Sequence, residues 1–315
     1  MGLDFNSVKF LLWAKNLGVR FDRTLTLGHQ GLSSPHRQFC HAVQDFGIEA
    51  TPAEVERVYK RPPMAALYAD EFLRFLGAKE VVSVDRSDFE QATLIHDLNK
   101  PFPEHLRGSF DLVIDGGTLE HIFHYQTALF NCLDLLRVGG HFITLTPATG
   151  QMGHGFYQFS PELFFRVFSP ERGFVLRKII LYECSKTDSA FYEIEDPAHT
   201  NSRTISPARP MQMAVLVQKT SETPADLDPP QQSDYVALWE SHKRKSGGDD
   251  GTKTSPPGLL RRLRPLLNPY WPSWLRDWRD EWRSRRNWRR GLAEQKSLRH
   301  FRRISPQEIF RERSG

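Results

Sequence analysis

The sequence predicts an α/β protein, built on a mainly parallel sheet with helices on both faces and followed by a helical C-terminal appendage. Three observations favour this class. Short β-like runs alternate with helical stretches over residues 20–185. The 315 residues suffice for one main domain with appendages. A hydrophobic content of 39% and a charged content of 25% are typical of globular chains.

The first predicted strand is RTLTLGHQG (23–31), which runs into a glycine-containing turn. A helix then begins at Thr51, Pro52 and Glu54. A capping hydroxyl, a first-turn proline and a carboxylate three residues after the cap are helix start signals. Helical apolar spacing predicts a second helix over residues 64–78.

Four more apolar runs predict the rest of the parallel sheet: EVVSVD (80–85), ATLIHDL (92–98), FDLVID (110–115) and HFITLTP (141–147). Between the last two, TALFNCLDLLRVGG (127–140) predicts an amphipathic helix closed by Gly139 and Gly140. Such a crossover is long enough to keep the flanking strands parallel.

The elements after residue 150 predict the far side of the sheet. SPELFFRVF (160–168) begins a helix with a serine cap and a first-turn proline. FVLRKIILYE (174–183) and MQMAVLVQK (211–219) predict late strands at an antiparallel edge. We therefore expect the α/β domain to occupy residues 1–219.

Composition changes beyond the α/β domain. Residues 220–257 are rich in Pro, Ser, Gly, Asp and Lys, which predicts a flexible linker with one helix over residues 234–244. Residues 258–315 form the predicted appendage. Residues 253–315 carry 17 Lys or Arg and 6 Asp or Glu, a net charge of +11, so the rest of the chain is net negative.

The appendage predicts a basic helix with an aromatic face. Trp271, Trp274, Trp278 and Trp282 share one helical stripe, and the arginines lie largely off it. Residues 258–290 therefore suit an anionic membrane surface. A protein partner, or docking on the acidic body, is an equal alternative, and nucleic acid is less favoured. We expect a cytoplasmic protein, peripheral on the inner face of a membrane if the first reading holds.

Several function classes have no support in the sequence. No run approaches the roughly 20 apolar residues of a membrane span, and the first residues lack the features of an export signal. Cys40, Cys132 and Cys184 are far apart without ligand spacing, so no metal site is predicted. GxxxxGK[ST], HExxH, GxSxG and Asn-Pro-Pro-aromatic motifs are absent.

Polar residues stand where the predicted strands end, which is where open parallel sheets bind ligands. Asp85 ends the second strand, and its two oxygens suit the cis hydroxyls of a ribose. Asp97 and Leu98 end the third strand and suit an adenine amino group and ring face. The alternative is that both aspartates cap turns. The fourth strand ends in Asp115, followed by the diglycine of DGGTLEH.

The stretch FDLVIDGGTLEHI, the helix after it, LRVGGHFITLTP and YQFSPELFFRVF resemble the second half of class I S-adenosylmethionine-dependent methyltransferases. The resemblance covers roughly residues 20–185. It implies a Rossmann-like fold, S-adenosylmethionine as the cofactor and methyl transfer as the activity. The cofactor-binding residues that it implies are Gly28, Asp85, Asp97, Asp115, Gly116 and Thr118. Leu98 is added because it follows Asp97 at a strand end, and His29 because its side chain could compensate for the altered first loop.

The chain departs from the family pattern in its first loop. Thr26 stands for the usual acidic residue, and Gln30 and Leu32 stand for the second and third glycines. Only twelve positions separate Asp85 from Asp97, so the usual intervening helix is missing. These departures motivate a competing hypothesis, a scaffold or binding protein that keeps the sheet and has lost the cofactor. A nucleotide-sugar enzyme is a weaker third option.

The catalytic candidates lie after the fourth and fifth strands. Methyl transfer requires a base only when the acceptor must lose a proton, as a hydroxyl does. Glu120, His121 and His154 are the predicted catalytic residues, with His124 as a further candidate; each histidine also has a structural reading. The expected acceptor is a small or glycolipid-type molecule, with oxygen slightly favoured, beneath a lid formed by GQMGHGFYQFSPELF (150–164).

Overall fold

The computed structural model describes residues 2–60, 66–184, 189–200, 209–222, 224, 228–246 and 301–304. The strands are β1 (Gly2–Asp4), β2 (Arg23–Leu27), β3 (Gly31–Ser33), β4 (Glu80–Asp85), β5 (Leu94–Ile95), β6 (Phe110–Asp115), β7 (Leu136–Thr149), β8 (Phe174–Glu183), β9 (Phe191–Ile194), β10 (Met211–Lys219) and β11 (Phe301–Ile304). The helices are α1 (Phe5–Asn16), α2 (His36–Asp45), α3 (Pro52–Tyr59), α4 (Asp70–Phe75), α5 (Tyr125–Leu135), α6 (Pro161–Val167), α7 (Pro197–Thr200) and α8 (Ser233–Ser246).

One sheet organises the described chain, in the strand order β11-β9-β8-β10-β7-β6-β2-β4-β5. Strands β5, β4, β2, β6 and β7 are parallel to their neighbours, and β10, β8, β9 and β11 add an antiparallel half. In chain order, the parallel strands run 3-2-1-4-5, which is the doubly wound order with its reversal between β2 and β6. The predicted Rossmann-like fold is therefore confirmed.

The centre of this sheet is buried on both faces. All six residues of β6 are buried, as its continuous apolar sequence requires. Leu112 and Ile114 join a core cluster with Trp13 of α1 and Phe39 of α2, whereas other residues of β6 face the cluster of α5 and α6. Helices thus cover both faces, and the carboxyl ends of the strands are left to the loops.

Two predicted helices have different bounds in the structure. The capping box of α3 is present, with Thr51 N donating to Glu54 Oε2 at 2.8 Å. The helix predicted over residues 64–78 is only α4, because Leu67 O accepts from Leu32 N at 2.7 Å and Ala69 N donates to Gln30 O at 2.8 Å. Pairing with the β3 segment keeps the chain before α4 extended.

The diglycine after α5 does not close that helix. The helix ends at Leu135, and Gly139 and Gly140 lie inside β7. Gly139 has φ +85°, and a Cβ on Gly140 would lie 3.0 Å from Asp111 O. The pairing of β6 with β7 shifts register here. The glycines therefore let β7 bend against β6 before the two strands pair regularly.

The third parallel strand is short, and its connection is tight as the spacing predicted. Leu94 and Ile95 alone form β5, where residues 92–98 were predicted. No helix intervenes between Asp85 and Leu94 in this fully described stretch. The short connection leaves the ends of β4 and β5 close together at the same edge.

Part of the C-terminal region is described. Helix α8 lies inside the predicted linker, and Phe301–Ile304 form strand β11 on β9 within the segment predicted to be helical. The tryptophan stripe and the partner surface predicted over 258–290 lie outside the described residues. None of the helices in the described part has the length and apolarity that crossing a bilayer requires.

Candidate functional site

A cavity of about 610 Å³ opens at the carboxyl ends of β4 and β6. Its volume lies in the range of small-molecule and cofactor sites, and it adjoins the point where the strand order reverses. Eight of the residues predicted from the sequence line it: Asp85, Asp97, Leu98, Gly116, Thr118, Glu120, His121 and His154. The structure therefore brings residues from four separate loops to one site.

Asp85 stands at one end of the cavity as the last residue of β4. Its Oδ1 accepts a long hydrogen bond of 3.3 Å from Ser87 N. This single turn contact leaves the carboxylate facing the cavity with capacity for two further donors.

Asp97 lines the same end but is tied into its own turn. Its Oδ1 accepts from Asn99 N at 3.0 Å and from Asn99 Nδ2 at 2.9 Å. These bonds lower the pKa of Asp97, and Arg86 at 3.6 Å adds to the effect. The turn-capping interpretation of Asp97 thus describes Oδ1, whereas Oδ2 is the oxygen near Arg86. Asp97 and the buried Leu98 both line the cavity.

Gly28 and His29 do not line the cavity, contrary to the sequence prediction. Gly28 has φ +75° and donates its N–H to Val84 O at 2.7 Å, so it forms a turn between strands. The imidazole of His29 lies between Glu90 O at 2.6 Å and Asp70 Oδ2 at 2.7 Å, and it stacks on Tyr68. Both ring nitrogens are occupied by the protein.

Gln30 fills the gap where the family pattern has a glycine. Its side chain is 1% exposed, donates to Leu27 O and contacts Thr118 Oγ1 at 3.5 Å. A Cβ added to Gly116 would collide with Gln30 Oε1. The sequence marked Gln30 as a departure from the pattern, but only the structure shows that it packs against the diglycine.

Asp115 is an anchor for the loop rather than part of the cavity wall, which corrects its predicted role. The residue is 0% exposed. Its carboxylate accepts from Thr144 Oγ1 at 2.7 Å, Thr118 N at 2.8 Å and Leu119 N at 3.2 Å. Burial raises the pKa of Asp115 despite these donors. Its contacts fix the turn that presents the diglycine to the cavity.

Glu120 is a buried carboxyl group that reaches the cavity. It is 1% exposed, and Thr146 Oγ1 donates to its Oε2 at 3.4 Å. Burial, with the nearby charge of Asp115, raises the pKa of Glu120 to about 8. At neutral pH the protein alone therefore favours the protonated form of this side chain.

His121 and His154 complete a polar wall with Glu120. Their ring centroids are 4.8 Å apart at 76°, and His154 Nε2 lies 3.8 Å from Glu120 Oε1. Burial and the neighbouring His154 lower the pKa of His121, which favours its neutral imidazole. One donor atom from each of the three side chains falls within 4.8 Å of the others.

Backbone contacts hold the loop of His154 against that of Glu120. Glu120 O accepts from Phe156 N at 2.7 Å and from Tyr157 N at 3.2 Å. The preceding residue, Gly155, has φ +71°, and a Cβ on it would lie 2.8 Å from Glu120 O. Both loops were predicted from the sequence to carry catalytic residues. Glu120 and His154 are 34 positions apart, however, and nothing in this spacing indicates that their side chains meet.

Gly155→Ala will lower the free energy of unfolding by about 1–3 kcal/mol, because the methyl group meets backbone and the left-handed φ disfavours alanine. Gly153→Ala is the matched control, since a Cβ at Gly153 has no atom within 4 Å. Denaturant unfolding measures both variants. Equal stability of the two would show that the loop contact is absent.

The loops that carry His121 and His154 also carry exposed apolar side chains. Phe123 and Phe156 are 5.9 Å apart at their centroids, and both are exposed together with Met152. Tyr157 OH donates to Phe123 O at 2.7 Å, so the loop of His154 is also joined here to the segment that follows Glu120 and His121. Phe159, by contrast, is buried in the core.

The sequence reasoning missed several cavity residues. His96 and Asn99 line the cavity beside Asp97, and their position in HDLN at a strand end was the available signal. Ser7 of α1 and Gln212 of β10 also line it. No local pattern marks these two, because only the sheet order brings them to the site.

No family model and no curated protein matches this chain. Among solved structures, an S-adenosylmethionine-dependent methyltransferase from Mesorhizobium loti is 14% identical, with 66% of this chain and 97% of that chain covered and a TM-score of 0.35. A possible histamine N-methyltransferase from Thermotoga maritima is 15% identical, covering 67% and 91%, with a TM-score of 0.32. The fold is assigned from the strand order of the sheet and not from these similarities.

Proposed function

We propose that this chain is an S-adenosylmethionine-dependent methyltransferase that acts at oxygen on a small, sugar-linked or lipid-linked acceptor. One observation supports the proposal above others. A single cavity at the reversal of the strand order joins the Asp85 carboxylate, the turn of Gly116 and the wall of Glu120, His121 and His154. In this proposal Asp85 binds the nucleoside, and the polar wall accepts a proton from the acceptor in the same site.

The residues present fit this cofactor. Asp85 offers carboxylate oxygens to ribose hydroxyls, Leu98 offers an apolar contact to adenine, and the Asp97 carboxylate offers an acceptor. Gly116 and Thr118 border the middle of the cavity. When bound, S-adenosylmethionine supplies a methyl group on a sulfonium, whose sulfur keeps the electron pair of the broken carbon–sulfur bond.

The chain's own part in the reaction is to hold the acceptor and to handle one proton. A hydroxyl acceptor must lose its proton as its oxygen forms the new bond, and the polar wall lies in the same cavity as Asp85. The buried Glu120 and the loop of residues 150–157 are held together at that wall by backbone hydrogen bonds. Oxygen is favoured because three polar groups gather where the acceptor enters.

The exposed apolar rim supports an acceptor with an apolar part. Met152, Phe123 and Phe156 present their side chains to solvent beside the wall, and apolar surface of this kind marks a binding region. A lipid-linked acceptor would also give a reason for residues 258–290 to bind an anionic membrane surface or a membrane-bound protein. We propose a cytoplasmic protein that works at the inner face of a membrane.

Calorimetry with S-adenosylmethionine and S-adenosylhomocysteine tests the proposal first. We expect one site for each, followed by transfer of labelled methyl to hydroxylated acceptors and not to their deoxy analogues. Presenting the acceptor in vesicles should raise the rate if its lipid part is recognised. Folded protein that binds neither compound would contradict the proposal.

The competing scaffold function rests on Gln30. Its side chain occupies the gap beside Gly116, where the family pattern has a glycine. If Gln30 has closed the site, the wild type will bind no nucleoside and Gln30→Gly will restore binding. If Gln30 only narrows a working site, the wild type already binds the nucleoside.

A further inference from the structure

Glu120, His121 and His154 form a set of potential metal ligands that the sequence spacing did not predict. Their donor atoms all lie within 4.8 Å of one another and belong to two loops joined by backbone hydrogen bonds. Two imidazoles and one carboxylate with open positions are a ligand set of first-row transition metals. We propose that these three side chains bind one such divalent cation at the wall of the cavity.

The geometry needs only a small closure. Metal bonds of about 2.0–2.2 Å place two ligand atoms about 3.0–3.5 Å apart. Glu120 Oε1 and His154 Nε2 already lie 3.8 Å apart. The side chain of His154 is 52% exposed and free to turn inward, while Glu120 is held from behind by Thr146 Oγ1 at 3.4 Å. A hydrogen bond of this kind orients a ligating carboxylate.

The charges at the site also favour a cation. Glu120 is buried near a second carboxyl group, Asp115, and its Oε1 lies 3.8 Å from His154 Nε2. A buried carboxylate is ordinarily paired or bound to a metal. The cavity supplies the open side, so water or an acceptor hydroxyl has access to the remaining coordination positions.

The ligand set distinguishes between classes of metal. Mg²⁺ and Ca²⁺ prefer oxygen ligands, whereas two nitrogens favour zinc, cobalt, iron or nickel. The role of the cation in catalysis rests on the proposed methyl transfer. The acceptor hydroxyl would bind the metal and lose its proton to solvent. The electron pair of the O–H bond would stay on the oxygen, which then takes the methyl group. The imidazoles then serve as ligands rather than as bases.

The binding test uses the full-length, tag-free chain after removal of metal with EDTA. Titration with Co²⁺ should give one site with a visible d–d band, and Zn²⁺ should displace Co²⁺, whereas Mg²⁺ should not. His154→Ala and His121→Ala should each weaken Co²⁺ binding by at least about 100-fold, since even an outer-shell change costs about 10–100-fold.

His124→Ala is the matched control, because His124 is exposed on the same loop and is not part of the set. It should bind Co²⁺ as the wild type does. A thiolate charge-transfer band would instead assign the metal to the half-buried Cys40, whose Sγ lies 3.9 Å from His36 Nδ1. That band, or equal affinity in His154→Ala and wild type, would overturn the proposal.

A further variant separates this proposal from the function on which its catalytic part rests. Asp85→Ala should keep Co²⁺ binding unchanged, because Asp85 stands at the other end of the cavity. A chain that binds Co²⁺ at this set and no S-adenosylhomocysteine would keep the metal site and refute the methyltransferase. A chain that binds S-adenosylhomocysteine and no Co²⁺ would refute the metal site and leave the methyltransferase proposal standing.

Discussion

Asp85→Ala will lower the affinity for S-adenosylhomocysteine by at least about 100-fold, because each hydrogen bond to a charged group contributes about 1.5–3 kcal/mol and the ribose offers two donors. The carboxylate ends β4 and makes one long contact of 3.3 Å with its own turn. Its loss therefore removes a ligand contact and little structure. Isothermal titration calorimetry measures the change directly.

Asp88→Ala is the control for this experiment. Asp88 is an exposed carboxylate in the same connection and does not line the cavity, so its removal changes the local charge equally. Unchanged affinity in Asp88→Ala and unchanged melting temperature in both variants are expected. If both variants lose affinity alike, the effect comes from general electrostatics and the ribose contact is refuted.

Glu120→Gln will stabilise the fold at alkaline pH. The pKa of Glu120 is raised from 4.5 to about 8, chiefly by burial. The folded state thus keeps a proton that the unfolded state releases, and stability falls as pH rises between these two values. Glutamine stays neutral, so the variant should exceed the wild type by an amount on the order of 3 kcal/mol near about pH 8 and match it near about pH 5.

Denaturant unfolding across this pH range, in EDTA, measures the difference without a bound cation. Glu104→Gln serves as the control because Glu104 is exposed and should leave the profile unchanged. Parallel profiles for Glu120→Gln and wild type would show that Glu120 is solvated in the folded protein. The account of the polar wall would then lose its buried carboxyl group.

The strand ends of this protein follow from local sequence. FDLVID (110–115) is continuous and apolar, which requires a strand covered on both faces, and β6 has these bounds. Since parallel strands end at one edge, the residues after β4, β5 and β6 had to lie near one another. This argument sufficed to place Asp85, Asp97 and Gly116 at a common cavity.

Other features depend on contacts between distant segments. The meeting of His154 with Glu120 arises from backbone hydrogen bonds of Phe156 and Tyr157, which no periodicity reveals. The family resemblance implied that Asp115 contacts the cofactor. It instead turns inward, since three donors including Thr144, 29 residues away, compete for its oxygens.

Backbone pairing also overrode helical spacing. Apolar spacing over residues 64–78 fits a helix, but Leu67 and Ala69 bond to the β3 segment, and α4 is limited to six residues. Gly139 and Gly140 were predicted to end a helix, but they lie inside β7, where they allow a bend against β6. In both cases a hydrogen-bonding partner far along the chain decided the local conformation.

A crystal structure of the chain with S-adenosylhomocysteine would test the central claim most directly. The account predicts the nucleoside in the cavity at the carboxyl ends of β4 and β6, with both ribose hydroxyls donating to Asp85. Density for the compound elsewhere on the folded protein, or a ribose out of hydrogen-bonding reach of Asp85, would contradict it.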